Sequence, residues 1–284
     1  MTRYVLTGTS GNLGSRILRS VIARGEIRPS DVVISTSSPR SVPSSVRDRG
    51  FEVRRGDYAD PASLRTAFDG ADVVFVMSHP DPGTRRVALH RNAFEAAWAA
   101  GATVVYSSMM LGGEAGTDTV IGIQQGHAQT MRYLYENDGD HIIVRQGIYA
   151  EAWGHYAGFP RRGAGGRVEW VVPRDIAVAW TALDELGEGN AALLARYGDY
   201  VGNTLRLTGP RATKISEIAE HVAALTGREI VVTELGIRGS DSWNLMYQGL
   251  AAGEGSVVDP LLGELLGRAP RGIEELPDHL FRVA

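Results

Sequence analysis

Short apolar runs alternate with longer stretches of helical periodicity through the first half of the chain. The runs at residues 4–6, 31–36, 51–54, 71–77, 103–107 and 141–145 predict strands. The stretches between them predict helices at residues 13–24, 61–68, 84–100 and 124–137. Strands that are buried on both faces and separated by helices form a parallel sheet with helices on both sides. The pattern therefore predicts an α/β fold built on a doubly wound parallel sheet.

A glycine-rich turn connects the first predicted strand to the first predicted helix. Its residues are Gly8, Thr9, Ser10, Gly11, Asn12, Leu13 and Gly14. Glycines allow the backbone to approach a diphosphate closely, and the free N–H groups at a helix start attract the anion. We therefore expect residues 8–14 to bind the phosphates of a dinucleotide. The spacing is G-x-x-G-x-x-G rather than the commoner G-x-G-x-x-G, and a tight turn without function is the alternative interpretation.

The second predicted strand runs into a loop rich in hydroxyl groups. Its candidate cofactor residues are Thr36, Ser37, Ser38 and Arg40. A site for NAD(H) is expected to place Asp or Glu here, to accept hydrogen bonds from the adenosine ribose. Hydroxyls and a guanidinium instead favour the ribose 2′-phosphate, which a carboxylate would repel. The loop predicts a preference for NADP(H) over NAD(H), with an ordinary solvated loop as the alternative.

The character of the chain changes near residue 150. Residues 151–284 mix shorter helices and strands with segments rich in Gly, Trp and Tyr. We predict a dinucleotide-binding domain at residues 1–150 and a smaller α/β substrate lobe at residues 151–284, partly interleaved with the first.

Composition narrows the classes of function. The chain has 284 residues, a formal net charge of −4 and no cysteine, which excludes disulfides and thiolate chemistry. The mild acidity does not favour nucleic acid as a partner, and no apolar run is long enough to cross a membrane. The seven histidines show no spacing typical of a metal site. We expect a cytoplasmic monomer or homodimer that binds a small-molecule substrate and no metal.

Several motifs in order along the chain carry a family resemblance. They lie at residues 8–14, 56–61, 90–97, 106–108, 172–177, 205–210, 215–219 and 266–271. Together they resemble the NmrA-like group of atypical, extended short-chain dehydrogenases/reductases, which implies a Rossmann fold. The resemblance also implies cofactor contacts from Asp57 and Tyr58 at the adenine, from Met77, Ser78 and His79 along the cofactor, and from Ser107 and Ser108 at the nicotinamide.

One departure from the family pattern bears on catalysis. Short-chain dehydrogenases that reduce carbonyls use Tyr-x-x-x-Lys, whereas the equivalent positions here are Ile123 and His127. An imidazole near neutrality can hold a ribose or deliver a proton, so His127 is the candidate catalytic residue. A structural histidine at a helix start is the alternative.

Large apolar side chains follow several predicted strand ends. They are Met109, Met110, Tyr149, Trp153, Tyr156, Phe159 and Trp243. Such a set suits a flat aromatic molecule, although each residue alone could equally belong to the core. Hydride transfer without an acidic group of the enzyme is reasonable for an electron-poor acceptor. Correct orientation and exclusion of water are enough to activate such an acceptor.

The sequence therefore predicts an NADPH-dependent oxidoreductase acting on a quinone, enone or imine. Two alternatives remain open at this point. One is a regulator that senses NADP(H) without turnover, and the other is a redox-neutral cyclase or isomerase on the same fold.

Overall fold

The computed structural model describes residues 1–81, 83–110, 112–162 and 167–281. The strands of these residues are β1 (Tyr4–Thr7), β2 (Val32–Thr36), β3 (Glu52–Arg55), β4 (Val73–Met77), β5 (Thr103–Met109), β6 (His141–Gln146), β7 (Phe159–Arg162), β8 (Val168–Val172), β9 (Ala177–Val178), β10 (Thr204–Leu207), β11 (Thr213–Lys214) and β12 (Ile230–Glu234). Their α-helices are α1 (Asn12–Arg24), α2 (Ser44–Arg47), α3 (Pro61–Phe68), α4 (Thr84–Ala99), α5 (Gly122–Tyr135), α6 (Trp153–Tyr156), α7 (Leu183–Ala195), α8 (Ile215–Thr226), α9 (Ser242–Ala251) and α10 (Leu261–Leu266).

One large parallel sheet organises the structure. Its strand order is β10-β6-β5-β4-β1-β2-β3, and each neighbouring pair runs parallel. The predicted doubly wound α/β fold is confirmed.

Alternating side chains of β1 enter two separate cores. Tyr4 and Leu6 pack in the layer that holds α1, α7 and α10, whereas Val5 packs in the layer that holds α3, α4 and α5. Successive side chains of a strand point to opposite faces, so an uninterrupted apolar strand is stable only when both faces are covered. This explains why the central strands are apolar throughout.

The direction of strand addition reverses at β1. The chain adds β2 and β3 on one side of β1 and then returns to place β4 on the other side. Such a reversal leaves a crevice beyond the carboxyl ends of the two central strands, because their connections leave in opposite directions. The fold therefore puts a binding crevice after Thr7 of β1 and Met77 of β4.

The second half of the chain forms a smaller lobe and also completes the large sheet. In the lobe, β8 pairs with β7 and β12, β9 pairs with β11, and Trp153, Trp170 and Trp180 share an apolar core. Three elements of the second half, α7, α10 and β10, join the first instead. Helix α7 packs against α1, and β10 pairs with β6 at the sheet edge.

Within the described residues, no helix has the length and apolarity that crossing a membrane requires. The same residues contain no cluster of three or more His, Cys, Asp and Glu side chains suited to holding a metal ion.

Candidate active site

The glycine turn is built so that two of its glycines cannot carry a side chain. Gly8 has a φ of 64°, and a Cβ there would lie 2.6 Å from Met77 Cβ. A Cβ on Gly14 would lie 2.1 Å from the Gly8 carbonyl oxygen. Gly11 is different, because its Cβ would meet nothing closer than 3.4 Å. The packing of the turn thus explains Gly8 and Gly14, whereas Gly11 is exposed where a ligand would approach.

The start of α1 presents unused donors at this turn. Gly11 is the N-cap residue, no side chain among the described residues caps it, and the first turn of the helix contains no acidic residue. The N–H groups of a first helical turn have no intrahelical partner, and the helix dipole makes that end positive. The turn therefore offers hydrogen bonds and a favourable potential to a phosphate.

A cleft of about 460 Å³ opens over the glycine turn and the neighbouring strand ends. Its lining residues are 7, 8, 10–14, 35–37, 56–58, 77–80 and 149. The cleft thus joins the ends of β1, β2, β3 and β4 at the crevice expected from the strand order. The buried Ser35 Oγ in this cleft makes no hydrogen bond with the described residues. The glycine cradle, the free amides and the hydroxyl groups together fit a dinucleotide such as NAD(P)H.

Tyr58 and Thr7 hold the floor of this cleft. The Tyr58 hydroxyl donates to the Met77 carbonyl oxygen at 3.0 Å and lies 2.7 Å from Thr7 Oγ1. Thr7 Oγ1 also accepts the Met77 N–H at 2.9 Å. Burial raises the pKa of Tyr58, so the phenol stays neutral. Its hydroxyl is therefore a structural tie between strands, and its ring forms part of the cleft wall.

The loop after β2 carries the hydroxyls expected beside a 2′-phosphate. Thr36 and Ser37 line the cleft, whereas Ser38 and Arg40 are exposed just beyond its lining. A further cation stands on the neighbouring strand, since Arg55 of β3 lies opposite Thr36 in the parallel register. Arg55 is paired with Asp60 at 2.6 Å. The loop after β2 and the neighbouring strand β3 therefore each carry an exposed guanidinium group.

A second cavity of about 250 Å³ adjoins the cleft. The two share residues 77–80 and Tyr149, and the second is further lined by Arg86, Ser107, Ser108, Met109, His127, Gly147, Ile148, Ala152 and Tyr156. This wall comes from the ends of β4, β5 and β6, from the N-terminal halves of α4 and α5, and from the segment that ends in α6. A dinucleotide in the cleft would thus direct its far end towards a mostly apolar cavity.

His127 faces this cavity as a neutral imidazole. Its Nδ1 lies 2.9 Å from the buried Tyr106 hydroxyl. Burial, reinforced by the nearby charge of Arg86, lowers the pKa of His127 to about 3. Burial also raises the pKa of Tyr106 to about 12. Both groups are uncharged at neutral pH, so the His127 imidazole can take part in hydrogen bonds there but carries no imidazolium proton to donate.

A second buried histidine, His90, forms a hydrogen bond with the backbone of a residue in the cavity wall. His90 Nε2 accepts the backbone N–H of His79 at 2.8 Å, which fixes the proton on Nδ1. That Nδ1 lies 3.0 Å from Thr130 Oγ1, which itself donates to the Gly126 carbonyl at 2.7 Å. Burial lowers the pKa of His90 well below its ordinary value. The chain of hydrogen bonds connects α4 to α5 and positions the backbone of His79 at the cleft.

The two buried histidines predict acid sensitivity. An unfolded histidine takes up a proton below about pH 6.5, whereas folded His127 does not do so until about pH 3. The free energy of unfolding should therefore fall as the pH drops from 6.5 towards 3, by up to about 1.4 kcal/mol per pH unit for each such group. Urea unfolding of the wild type and His127→Gln at pH 7 and pH 5 measures this contribution. An equal loss on acidification in both proteins would contradict it.

Arg86 is a buried cation in the cavity wall. Its side chain is 4% exposed, and its Nε donates to the Asp81 carbonyl at 2.7 Å. The absence of a side chain on Gly126 makes room for it, since a Cβ there would lie 3.3 Å from Arg86 Cδ. Burial lowers the pKa of the guanidinium, which nevertheless remains charged because arginine is so strong a base.

Comparison with known proteins agrees with this geometry. A family described as NAD(P)H-binding matches residues 8–168, more than half of the chain. The chain belongs to this NAD(P)H-binding family. A curated relative from Aspergillus flavus, the NmrA-like family domain-containing oxidoreductase flvB, is 29% identical and covers 94% of this chain and 91% of its own length.

Two solved structures share the fold over nearly their whole length. The NADPH-dependent quinone oxidoreductase QOR2 of Escherichia coli, in complex with NADPH, has a TM-score of 0.83 at 21% identity and covers 98% of this chain and 100% of its own. The triphenylmethane reductase of Citrobacter sp., in complex with NADP(H), has a TM-score of 0.78 at 21% identity, with coverages of 96% and 98%. The predicted fold and the predicted resemblance to NmrA-like, NAD(P)H-binding proteins are confirmed.

The structure brings most of the predicted NAD(P)H residues to the cleft. Of the residues predicted from the glycine turn and the strand ends, Gly8, Ser10, Gly11, Asn12, Leu13, Gly14, Thr36, Ser37, Asp57, Tyr58, Met77, Ser78 and His79 line it. Ser107 and Ser108 line the adjoining cavity instead, and the Ser108 hydroxyl donates to Met131 Sδ at 3.3 Å. Thr9, Ser38 and Arg40 are outside the cleft lining.

The predicted substrate residues separate into two groups. Met109, Tyr149 and Tyr156 line the cavity together with His127. Trp153 packs in the core of the lobe, with its ring centroid 5.2 Å from that of Trp170 and its indole N–H donated to a backbone carbonyl.

Three other predicted substrate residues have different surroundings. Met110 is 2% exposed and belongs to the buried interior. Trp243 lies in a different groove, beside Pro173 and Arg238. The Phe159 side chain is outside the described part of the structure.

Arg86 is one of several lining residues that the sequence analysis does not predict. An arginine in the first turn of a helix is ordinarily solvated, and Arg85 beside it is 72% exposed. The one available signal was position, because Arg86 follows the end of β4 by a short loop at the crevice predicted from the strand order.

Proposed function

We propose that this protein is an NADPH-dependent reductase that delivers a hydride to a flat conjugated acceptor, with a quinone as the first candidate. The observation that carries the proposal is the junction at Tyr149. This residue lines both the dinucleotide cleft and the second cavity, so a nicotinamide entering from the cleft would face a molecule held in the cavity. Two neighbours in fold are named for quinone and triphenylmethane reduction, and both names denote conjugated acceptors.

The residues of the cavity suit this chemistry. When bound, NADPH supplies the hydride. Met109 and Tyr156 offer apolar contact to a planar ring and exclude water, while Tyr149 and His127 present polar groups at its edge. Burial raises the pKa of Tyr149 to about 12, so its phenol keeps its proton and can donate a hydrogen bond. An acceptor that is already electron-poor requires this orientation more than it requires a strong acid.

The direct test is the loss of NADPH absorbance with purified protein against quinones, enones, imines and cationic dyes. NADPH binding is measured in the same preparation by its fluorescence. Turnover of at least one conjugated acceptor is the expected result. Firm NADPH binding without any turnover would overturn the reductase proposal and favour an NADP(H)-sensing regulator or a redox-neutral catalyst.

We also propose that NADPH is preferred over NADH because Ser37, Ser38 and Arg40 meet the 2′-phosphate. Arg40→Ala should then weaken NADPH binding about 10-fold and NADH binding less than about 2-fold, since a charge-assisted hydrogen bond contributes about 1.5–3 kcal/mol. Titration of both cofactors measures the two dissociation constants.

A matched control separates this effect from a general change in charge. Arg65 on α3 is equally exposed but outside the cleft lining, so Arg65→Ala should leave both affinities unchanged. Equal losses of NADPH and NADH affinity in Arg40→Ala would eliminate the 2′-phosphate assignment.

A further inference from the structure

We propose that Arg86 stabilises the negative charge that develops on the acceptor, and that it thereby makes the cavity selective for neutral carbonyl acceptors over cationic ones. The inference rests on the proposed reductase function and deepens it by naming the charge type of the substrate.

The position of Arg86 supports this role. It lines the cavity together with His127, Met109 and Tyr149, and it is absent from the lining of the dinucleotide cleft. Its charge reaches the reacting region, because it is one of the two causes that lower the pKa of His127. A guanidinium buried in a wall of low polarity interacts more strongly with a nearby oxyanion than one in water would.

Among the described residues that line the cavity, the Arg86 guanidinium is the dominant charge. None of the described residues lining the cavity is Asp or Glu, and burial lowers the pKa of both His79 and His127. Among the carboxylates that act from outside the lining are Asp81, which is paired with Arg85 at 2.9 Å and also acts on the Arg86 charge, and Glu151, which acts on Tyr149. The described lining itself carries a buried cation and no carboxylate, which favours an acceptor that becomes negative and disfavours one that is already positive.

The two kinds of acceptor differ in the charge of the first product. A hydride carries two electrons and one proton. A neutral quinone that gains a hydride becomes a hydroquinone monoanion, and a proton from water then completes the hydroquinone. A triarylmethane cation that gains a hydride on its central carbon becomes a neutral compound and requires no further proton. In both cases NADPH leaves as NADP⁺. Only the first reaction creates the negative charge that Arg86 would stabilise.

The kinetic test compares the two acceptors in one variant. Arg86→Gln should lower kcat/KM for a neutral benzoquinone about 10- to 100-fold, the range of a lost oxyanion donor. For a triarylmethane cation it should leave kcat/KM unchanged or raise it several-fold. Arg86→Lys should restore part of the quinone rate because it keeps the charge. Arg85→Gln, one residue away and exposed, makes the same change in net charge and should affect neither acceptor.

Equal losses for both acceptors in Arg86→Gln would show a structural role and overturn the inference, while turnover of the wild type would still support the reductase. A second measurement does not depend on turnover. In the presence of NADP⁺, the wild type should bind 4-nitrophenolate at least about 10-fold more tightly than neutral 4-nitrotoluene, and Arg86→Gln should lose this preference. Absence of the preference in the wild type would also overturn the inference, whatever the outcome for quinones.

Discussion

Gly14→Ala is expected to reduce NADPH affinity at least about 100-fold, because the new Cβ would lie 2.1 Å from the Gly8 carbonyl oxygen. The Cβ is fixed to the helix backbone and the carbonyl oxygen belongs to the turn backbone, so neither atom can move aside as the end of a flexible side chain would. Helix α1 must therefore shift away from the turn, which removes its first N–H groups from the phosphate position. Overpacking of this kind also costs roughly 1–3 kcal/mol in the free energy of unfolding. Fluorescence titration and urea unfolding measure the two effects.

Gly11 and Gly198 provide the matched controls. A Cβ on Gly11 would meet nothing closer than 3.4 Å, so Gly11→Ala should retain the wild-type free energy of unfolding within about 0.5 kcal/mol. It should still weaken NADPH about 10-fold, because the methyl group would occupy the side from which the phosphate approaches. Gly198→Ala, which has open space around its Cβ, should change neither quantity. Wild-type NADPH affinity in Gly14→Ala would refute this account of the turn.

His127→Ala is expected to lower kcat about 10- to 100-fold while changing the dissociation constant of NADPH less than about 3-fold. The reason is that His127 lines the second cavity and is absent from the lining of the dinucleotide cleft. Loss of one preorganised hydrogen-bonding group in a buried site has an effect of this size or larger. Steady-state reduction of the best acceptor, combined with NADPH titration, measures both constants.

Two further observations test this assignment. Tyr106→Phe removes the hydroxyl 2.9 Å from His127 Nδ1 and should give a smaller loss of kcat, because the imidazole itself remains. Since the pKa of His127 is lowered to about 3, kcat should show no inflection near pH 6.5 from this residue. Unchanged turnover in His127→Ala would remove the residue from the mechanism.

The glycine turn shows how much a local pattern can predict. Strand, turn and helix start follow one another within about 20 residues, so their geometry depends on contacts between near neighbours in sequence. The loop at residues 36–40 is predictable as part of the same crevice, because the parallel sheet brings the carboxyl ends of its strands to one edge. The fold class and the location of the NAD(P)H cleft were predictable on these grounds.

The aromatic residues show where local pattern fails. Trp153 and Tyr156 lie on the same short helix, yet Trp153 is in the core of the lobe and Tyr156 lines the cavity. Both are large, apolar and close to a strand end in sequence, so composition and spacing do not distinguish them. The arrangement of β8 and the C-terminal segment decides which ring is covered.

The sequence by itself determined the order of strands and helices, the glycine turn and the absence of the usual Tyr-x-x-x-Lys pair, because each of these depends on residue type and short-range spacing. The tertiary structure alone decided that Arg86 is buried, that His127 is neutral and that Tyr149 lies at the junction of the cleft and the cavity. These properties arise from the packing of α4 against α5 and the end of β6, which are separate segments of the chain. Burial and charge at a site are sums over such neighbours, and no single segment of the chain contains them.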